Sequence, residues 1–407
     1  MNTSSKLPPN HPAGPEEDIP GYDSLPPLEA EDQVVSSEIL LAPPSPSPDS
    51  LVLPDLMLGC ATFGYNIYTT PTSVRSDLPL RIVRLALSSG ITAFDTAPHY
   101  HPSEIVLGNC LRVLKEEWPR EGYKLITKVG KYGPEGWMHT FERGSVRRCV
   151  ERSLKRLGTD HLDVVYLHDV EFRSSLPCPA GKHLRALQPA HASEYGLAPD
   201  QLSPEGDGDL EILGAIEELR LLQAEGKVLH VGIAGYPLPT LLRFARLVLH
   251  TTGRPIDVVQ TYAHQTLANH ILSEGFLAAF EDAQVGTVTN AGPLAMGLLT
   301  KGGGPEWHPA RKTDLFGVTR EAVELCDKDG VAIEDVATDF GYKELRMRDG
   351  RKVPAVVGCK TLEEIHANLR SFKRANGEDG KREREVGERV VALMEERGVR
   401  NWSWNNP

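Results

Sequence analysis

The chain lacks the features that mark several protein classes. Its six cysteines, at positions 60, 110, 149, 178, 326 and 359, never form a Cys-x-x-Cys pair. This argues against zinc ribbons and thioredoxin-like exchange, and a reducing compartment with free thiols is expected. Basic residues are scarce, with 44 Lys and Arg against 56 Asp and Glu and a formal net charge of −12. Phosphate-backbone binding needs a basic face, so no nucleic-acid partner is expected. No apolar run approaches the roughly 18 residues of a membrane span. The N-terminal stretch also lacks a basic-then-apolar pattern, so no signal peptide and no membrane partner are expected, and the expected location is cytoplasmic. Neither G-x-G-x-x-G nor G-x-x-x-x-G-K-[ST] is present, which disfavours an open dinucleotide-binding sheet and a phosphate loop. The histidine of HPSE has no companions at metal-ligand spacing, so no metal is expected.

What the chain does have is 407 residues and 40% hydrophobic residues, enough for a single α/β barrel with extensions. Residues 1–50 are rich in Pro, Ser, Asp and Glu and end in LAPPSPSPDS. Such a segment buries too little apolar surface to offset its ordering entropy, and a disordered tail is expected. The folded domain is expected over 51–375, interrupted by an irregular insert at 171–208, with a helical extension over 376–407. Segment 301–318 is also irregular. KREREVGERVVALMEERG fits an amphipathic helix with one solvated, mixed-charge face.

Eight short apolar runs alternate with helix patterns. They are LMLGCATFG (56–64), ITAFDTA (91–97), KLITKVG (124–130), LDVVYLHD (162–169), LHVGIAG (229–235), DVVQTYA (257–263), GTVTNAG (286–292) and PAVVGC (354–359). Near-continuous β-branched runs suit strands buried on both faces. Strand and helix repeated eight times predict an α/β fold closed as a (β/α)8 TIM barrel, whose chemistry lies at the C-terminal strand ends.

At those ends stand Asp95, Lys128 and His168, with Tyr100 in the loop after Asp95. Taken singly, each has an ordinary explanation as a surface charge, a packed ring or a core histidine. Together they suit proton transfer coupled to hydride transfer. A phenol is a sluggish acid or base at neutral pH. A nearby ammonium favours its ionised form, a carboxylate holds that ammonium in place, and a histidine orients the reacting oxygen.

FDTAPHYHPSEIVLG, ITKVG, SLKRLGTDHLDVVYLHDVEF and GCKTLEEIHANL resemble the aldo-keto reductase superfamily over roughly 52–373. The resemblance implies a nicotinamide-dependent barrel in which Asp95, Tyr100, Lys128 and His168 form the catalytic tetrad. VVYLHDVEF, GYPLP, VVQTYAHQTLAN, NAGPLAMGLLT and GGGPEWHP are similar to the aldose-oxidising branch of fungi and plants. That branch implies oxidation of the C1 hydroxyl of an aldose, D-arabinose or a similar sugar, to its lactone with NAD.

The resemblance also implies a set of cofactor residues: Gln260, Asn290, Gly292, Leu294, Gly358, Lys360, Thr361, Glu364 and Asn368. Where the superfamily usually has Ser-Asn after its fifth strand, this chain has Ala234-Gly235, which shifts the carboxamide contact towards Gln260. The usual ring-stacking Tyr is replaced by the stretch Asn290, Ala291 and Gly292. Glu364 stands where NADP-using relatives usually carry Arg, and a carboxylate there favours NAD by repelling a 2′-phosphate. Tyr65, His99 and His101 are candidate sugar contacts, and Trp307 with His308 a candidate clamp over the dinucleotide. The partner is expected to be a small sugar, with a homodimer as a further expectation. Two other functions fit the same barrel: an NADPH-dependent carbonyl reductase, and a non-catalytic sensor of nicotinamide nucleotides.

Overall fold

The computed structural model describes residues 7–40, 51–65, 68–377 and 379–404. The barrel strands are β1 (Leu56–Gly59), β2 (Ala93–Asp95), β3 (Lys124–Val129), β4 (Leu162–His168), β6 (Val228–Gly235), β7 (Val258–Tyr262), β8 (Thr287–Ala291) and β9 (Ala355–Val357). They close in the order β1-β2-β3-β4-β6-β7-β8-β9, and a separate pair is made by β5 (Gly181–Lys182) and β10 (Trp402–Ser403). Each of the eight apolar runs overlaps one barrel strand. By contact density the chain divides into two units. One takes the residues up to Asp169 together with Gly208–Ile233 and Gly358–Ile365. The other takes Val170–Asp207, Ala234–Val357 and the residues from His366 onward.

In the first unit, β1 to β4 pair in parallel, and every residue of β1 and β4 is buried. The helices between them follow from apolar spacing. In Arg143–Leu157, Val146, Cys149, Val150, Leu154 and Leu157 recur at helical intervals and turn inward. Glu142 caps its first turn by accepting from the Gly144 and Ser145 amides, and Gly158, at φ 67°, ends it in the left-handed conformation.

A buried carboxylate ties this helix to the strand that bears Lys128. Glu104, on helix Ser103–Leu114, accepts hydrogen bonds from Thr127 Oγ1 at 2.8 Å, Ser153 Oγ at 2.6 Å and Arg156 at 3.2 Å.

The N-terminal stretch expected to be disordered is laid over this unit across its described residues, 7–40. Glu16 pairs with Arg152 and Arg156, Asp32 with Arg81, and Ile19 is buried while its carbonyl accepts from Asn109. The segment has little apolar content, so its order comes from charge-assisted bonds to distant arginines. The rest of the expected tail, 1–6 and 41–50, lies outside the described residues.

In the second unit, β7, β8 and β9 pair in parallel. The insert 171–208 is ordered through short 3₁₀ turns that bury Ala186 and Tyr195, and its β5 pairs antiparallel with β10. The C-terminal helix Lys381–Glu396 buries Val386, Val390 and Met394 in a cluster with Leu267, Leu298 and Val336. The extension expected over 376–407 therefore contributes to this core. Beyond it, Trp404 stacks on Tyr236 with ring centroids 4.3 Å apart. A helix, Asp314–Lys328, begins inside the stretch 301–318 that the sequence presents as irregular.

All six cysteines are unbridged. Among the described residues, no helix is long and apolar enough to cross a membrane.

Glu104→Ala should lower unfolding stability by about 3 kcal/mol, because it leaves the buried Arg156 with a weaker set of partners. Urea unfolding monitored by far-UV circular dichroism measures this. A loss below about 1 kcal/mol would show that Glu104 does not bind the strand to its helices.

Candidate active site

Strand register assembles the site. Asp95 lies opposite Ile126, so Lys128, two residues further along β3, points to the same face. Lys128 Nζ donates to the Asp95 carboxylate and, at 3.1 Å, to the carbonyl of Thr96. Both side chains are buried, 2% exposed for Lys128 and 6% for Asp95. After β2 the chain makes a 3₁₀ turn, Pro98–Tyr100, which carries Tyr100 over this pair with its ring centroid 5.0 Å from the ammonium. His168, the last residue of β4, meets the Tyr100 ring edge-on at 5.6 Å. The structure thus brings Asp95, Tyr100, Lys128 and His168 together.

Electrostatics refine the picture. Burial pushes the Tyr100 phenol well above its ordinary range, and the charges of Asp95 and Asp169 push the same way. The sequence argument, that the ammonium lowers this phenol, is outweighed here by desolvation. Burial also holds His168 neutral, well below the usual imidazole range, and its Nδ1 has no hydrogen-bond partner among the described residues. His99 sits 5.7 Å from the His168 ring and is pushed down to about 3 by burial, with the Lys131 charge adding to it.

Two residues of this cluster escape the sequence reading. Asp169 follows the tetrad histidine at φ 50°, a left-handed backbone conformation that aspartate and asparagine adopt more readily than most side chains. Its carboxylate accepts from Lys131 at 2.6 Å and lies 3.9 Å from His168 Nε2. Burial alone would raise its pKa, but the Lys131 ammonium holds it well below the carboxylate range. The signal was available in the strings LHD and KVGK, which place a second opposite-charge pair one and three residues past the tetrad members.

The candidate sugar contacts divide. His99 belongs to the ring cluster beside Tyr100, with centroids 5.9 Å apart. Tyr65 and His101 instead bind one carboxylate: Tyr65 donates to Glu17 Oε1 at 3.0 Å, and His101 Nε2 lies 2.7 Å from Glu17 Oε2.

Of the candidate cofactor residues in the first unit, Gly358, Lys360, Thr361 and Glu364 lead into helix Leu362–Asn376. A helix N-terminus suits phosphate. Glu364 folds back on this one, accepting from the Lys360 backbone N–H at 2.6 Å, with Lys360 Nζ 3.7 Å away. Thr361 Oγ1 accepts from the Glu364 amide at 3.2 Å. A Cβ on Gly358 would come within 3.0 Å of Thr62.

In the second unit, Gln260 on β7 and Asn290 on β8 are buried. Both amide atoms of Asn290 lack hydrogen-bond partners among the described residues. A buried amide with an unmet donor and acceptor fits a ligand that presents a carboxamide. Gly292, at φ 67°, turns the chain after β8 towards the half-buried Leu294. Asn368 accepts from the Tyr342 hydroxyl and so also has a packing role.

His308, expected in a clamp, is buried. Its Nε2 bonds the Ala295 carbonyl at 3.0 Å, and its Nδ1 caps the turn at Ala310. Trp307 is exposed. The Ala234-Gly235 departure also has a steric cause. A Cβ on Gly235 would lie 2.3 Å from a Glu171 carboxylate oxygen, while the other oxygen accepts from the Tyr236 amide at 2.9 Å. Among the described residues, no group of three or more His, Cys, Asp and Glu could hold a metal ion.

Comparisons with known proteins bear on the family and the fold. Residues 55–380 match the Aldo/keto reductase family. D-arabinose 1-dehydrogenase of Saccharomyces cerevisiae is 31% identical, across 79% of this chain and 84% of that protein. L-galactose dehydrogenase of Arabidopsis thaliana is 30% identical, across 81% of this chain and 88% of that protein. An aldo-keto reductase of Bacillus halodurans, solved in its holo form, matches in fold with a TM-score of 0.54 at 21% identity, covering 83% of this chain and 91% of that one. With its closed eight-stranded barrel and a family match over most of its length, the chain belongs to the aldo-keto reductase family.

Proposed function

We propose that this protein is an aldose 1-dehydrogenase, which oxidises the C1 hydroxyl of a sugar such as D-arabinose to the lactone with NAD as coenzyme. The observation that carries the reading is the buried Asp95–Lys128 pair beneath Tyr100, with His168 at the edge of the phenol ring. Relatives named for D-arabinose and L-galactose oxidation support the substrate class.

The nicotinamide coenzyme of the family supplies the hydride acceptor. Asn290 and Gln260 are the residues that would meet its carboxamide, and Lys360 and Thr361 those that would meet its adenosine end. The protein's own groups handle the proton. Tyr100 faces the reacting oxygen and takes the C1 hydroxyl proton, and by microscopic reversibility it returns that proton to a carbonyl oxygen in reduction. Forming a phenolate in a buried site is costly, and the Lys128 ammonium offsets that cost. Asp95 pairs with the ammonium and holds it in place beneath the ring. Neutral His168 can hydrogen-bond the substrate oxygen without adding a competing charge. The Asp169–Lys131 pair offers a hydroxyl acceptor and donor beside it, which suits a polyhydroxylated substrate. The Glu364 carboxylate at the helix N-terminus disfavours a 2′-phosphate and so supports NAD.

Three outcomes test this reading. Tyr100→Phe should lower kcat by on the order of 100-fold or more with coenzyme affinity kept, and Lys128→Met should act in the same direction. Near-normal turnover in the Tyr100 variant overturns the assignment. Because burial raises the phenol, aldose oxidation should speed up with alkalinity from about pH 7 to about pH 10, as more of the base form is available. A flat profile of kcat/KM would place the proton elsewhere.

The third test is NADH production from D-arabinose, L-galactose, L-fucose and D-glucose, with the lactone identified by mass. Alongside it, Glu364→Arg should raise kcat/KM for NADP by about 10-fold. If no aldose reduces NAD while simple aldehydes are reduced with NADPH, the protein is a carbonyl reductase. The raised, proton-donating phenol is the feature that would favour that second reading.

A further inference from the structure

The family match begins at residue 55, yet residues 7–40 lie in order on the first unit. The segment is held by Glu16 on Arg152 and Arg156, by buried Ile19 on Asn109, and by Asp32 on Arg81. Glu17 is different. Two of its three side-chain partners, Tyr65 and His101, lie on the two loops that meet at Tyr100, and the third, Arg75, is bonded to Tyr65. Its Oε1 accepts from the Tyr65 hydroxyl at 3.0 Å and from Arg75 at 2.6 Å, and its Oε2 meets His101 Nε2 at 2.7 Å.

The two stretches already touch. Tyr65 N donates to the His101 carbonyl at 3.0 Å. Gly64 packs so close to Tyr100 that a Cβ there would lie 2.7 Å from its carbonyl oxygen. Arg75 completes the group, donating to the Tyr65 hydroxyl at 3.0 Å while its guanidinium lies over that ring. His101 is the residue immediately after Tyr100. One carboxylate therefore clamps the side chain next to the acid/base residue to the loop that backs it.

We propose that Glu17 is a positioning residue for Tyr100: the N-terminal strap, which precedes the stretch matched to the family, fixes the Tyr100 turn through a shared carboxylate on His101 and Tyr65. Glu17 acts through these two residues and touches none of the reacting atoms. Loss of the carboxylate leaves the turn freer to move, and a small displacement of an acid/base group is expensive in rate. The proposal depends on the family's use of Tyr100 and is independent of which substrate is oxidised or reduced.

The test is a mutant cycle in the full-length protein. Glu17→Ala should lower kcat/KM by about 10-fold while the dissociation constant of the coenzyme, read by fluorescence titration, is unchanged. Glu17→Gln, which keeps an acceptor for Tyr65, should retain much of the rate. In a Tyr65→Phe/His101→Asn background, Glu17→Ala should have less than about a 2-fold further effect, because the residues it acts through are gone.

Rates are taken with D-arabinose and NAD, and in parallel with propanal and NADPH. A protein inactive on the sugar but active on propanal then refutes the aldose reading while still testing Glu17. The proposal is overturned if Glu17→Ala leaves kcat/KM unchanged, if coenzyme affinity and melting temperature fall along with the rate, or if the full effect persists in the double-variant background.

Discussion

The buried pair of Asp95 and Lys128 is the constraint that the site rests on. Each ion taken from water costs several kcal/mol, and the cost is met only if the two charges find each other with good geometry and further partners. The Thr96 carbonyl supplies one such partner, and the Tyr100 ring covers the ammonium. Strand register secures the meeting. A slip of one residue between β2 and β3 would turn Lys128 out of the barrel and leave a buried carboxylate alone. Glu104 lies on the same strand's other support, one residue away at Thr127. Two buried carboxylates therefore hold successive residues of β3, and the strand has little freedom to shift.

Much of this was legible in the sequence, for a physical reason. Strands buried on both faces must be apolar throughout, so a polar residue at the end of such a run stands out. Asp95, Lys128 and His168 are visible in that way. Tyr100 is found because the turn that delivers it is short. The charged neighbours Lys131 and Asp169 were hidden because they follow the strand ends in loops, where charge is ordinary. Glu171 was hidden, and the reason for Gly235 with it, on a different ground. The absence of a side chain at 235 makes sense only once the carboxylate that fills its space is seen, 64 residues earlier in the chain.

The N-terminal segment shows where composition misleads. A stretch rich in Pro, Ser and acidic residues cannot form a core of its own, and the argument from apolar content holds as far as it goes. It fails over residues 7–40 because order there is borrowed. Arg81, Arg152 and Arg156 belong to helices that fold for their own reasons, Arg75 ends another, and they present cations at fixed positions to Glu16, Glu17 and Asp32. His308 shows the reverse error, since a polar residue in a loop suggested contact with a ligand whereas its ring nitrogens bond the backbone.

The core of the second unit has a consequence for how the protein is made. Val386, Val390, Met394 and Trp404 fill the same apolar cluster as Tyr236 and Leu267, and β10 supplies the only strand partner of β5 among the described residues. A ribosome delivers residue 236 long before residue 404. During synthesis, then, this half of the molecule holds exposed aromatic and aliphatic surface until the stretch 386–404 has emerged. That cluster is complete only once the stretch has been made, and a chain stopped before Val386 lacks Val386, Val390, Met394 and Trp404 from this core.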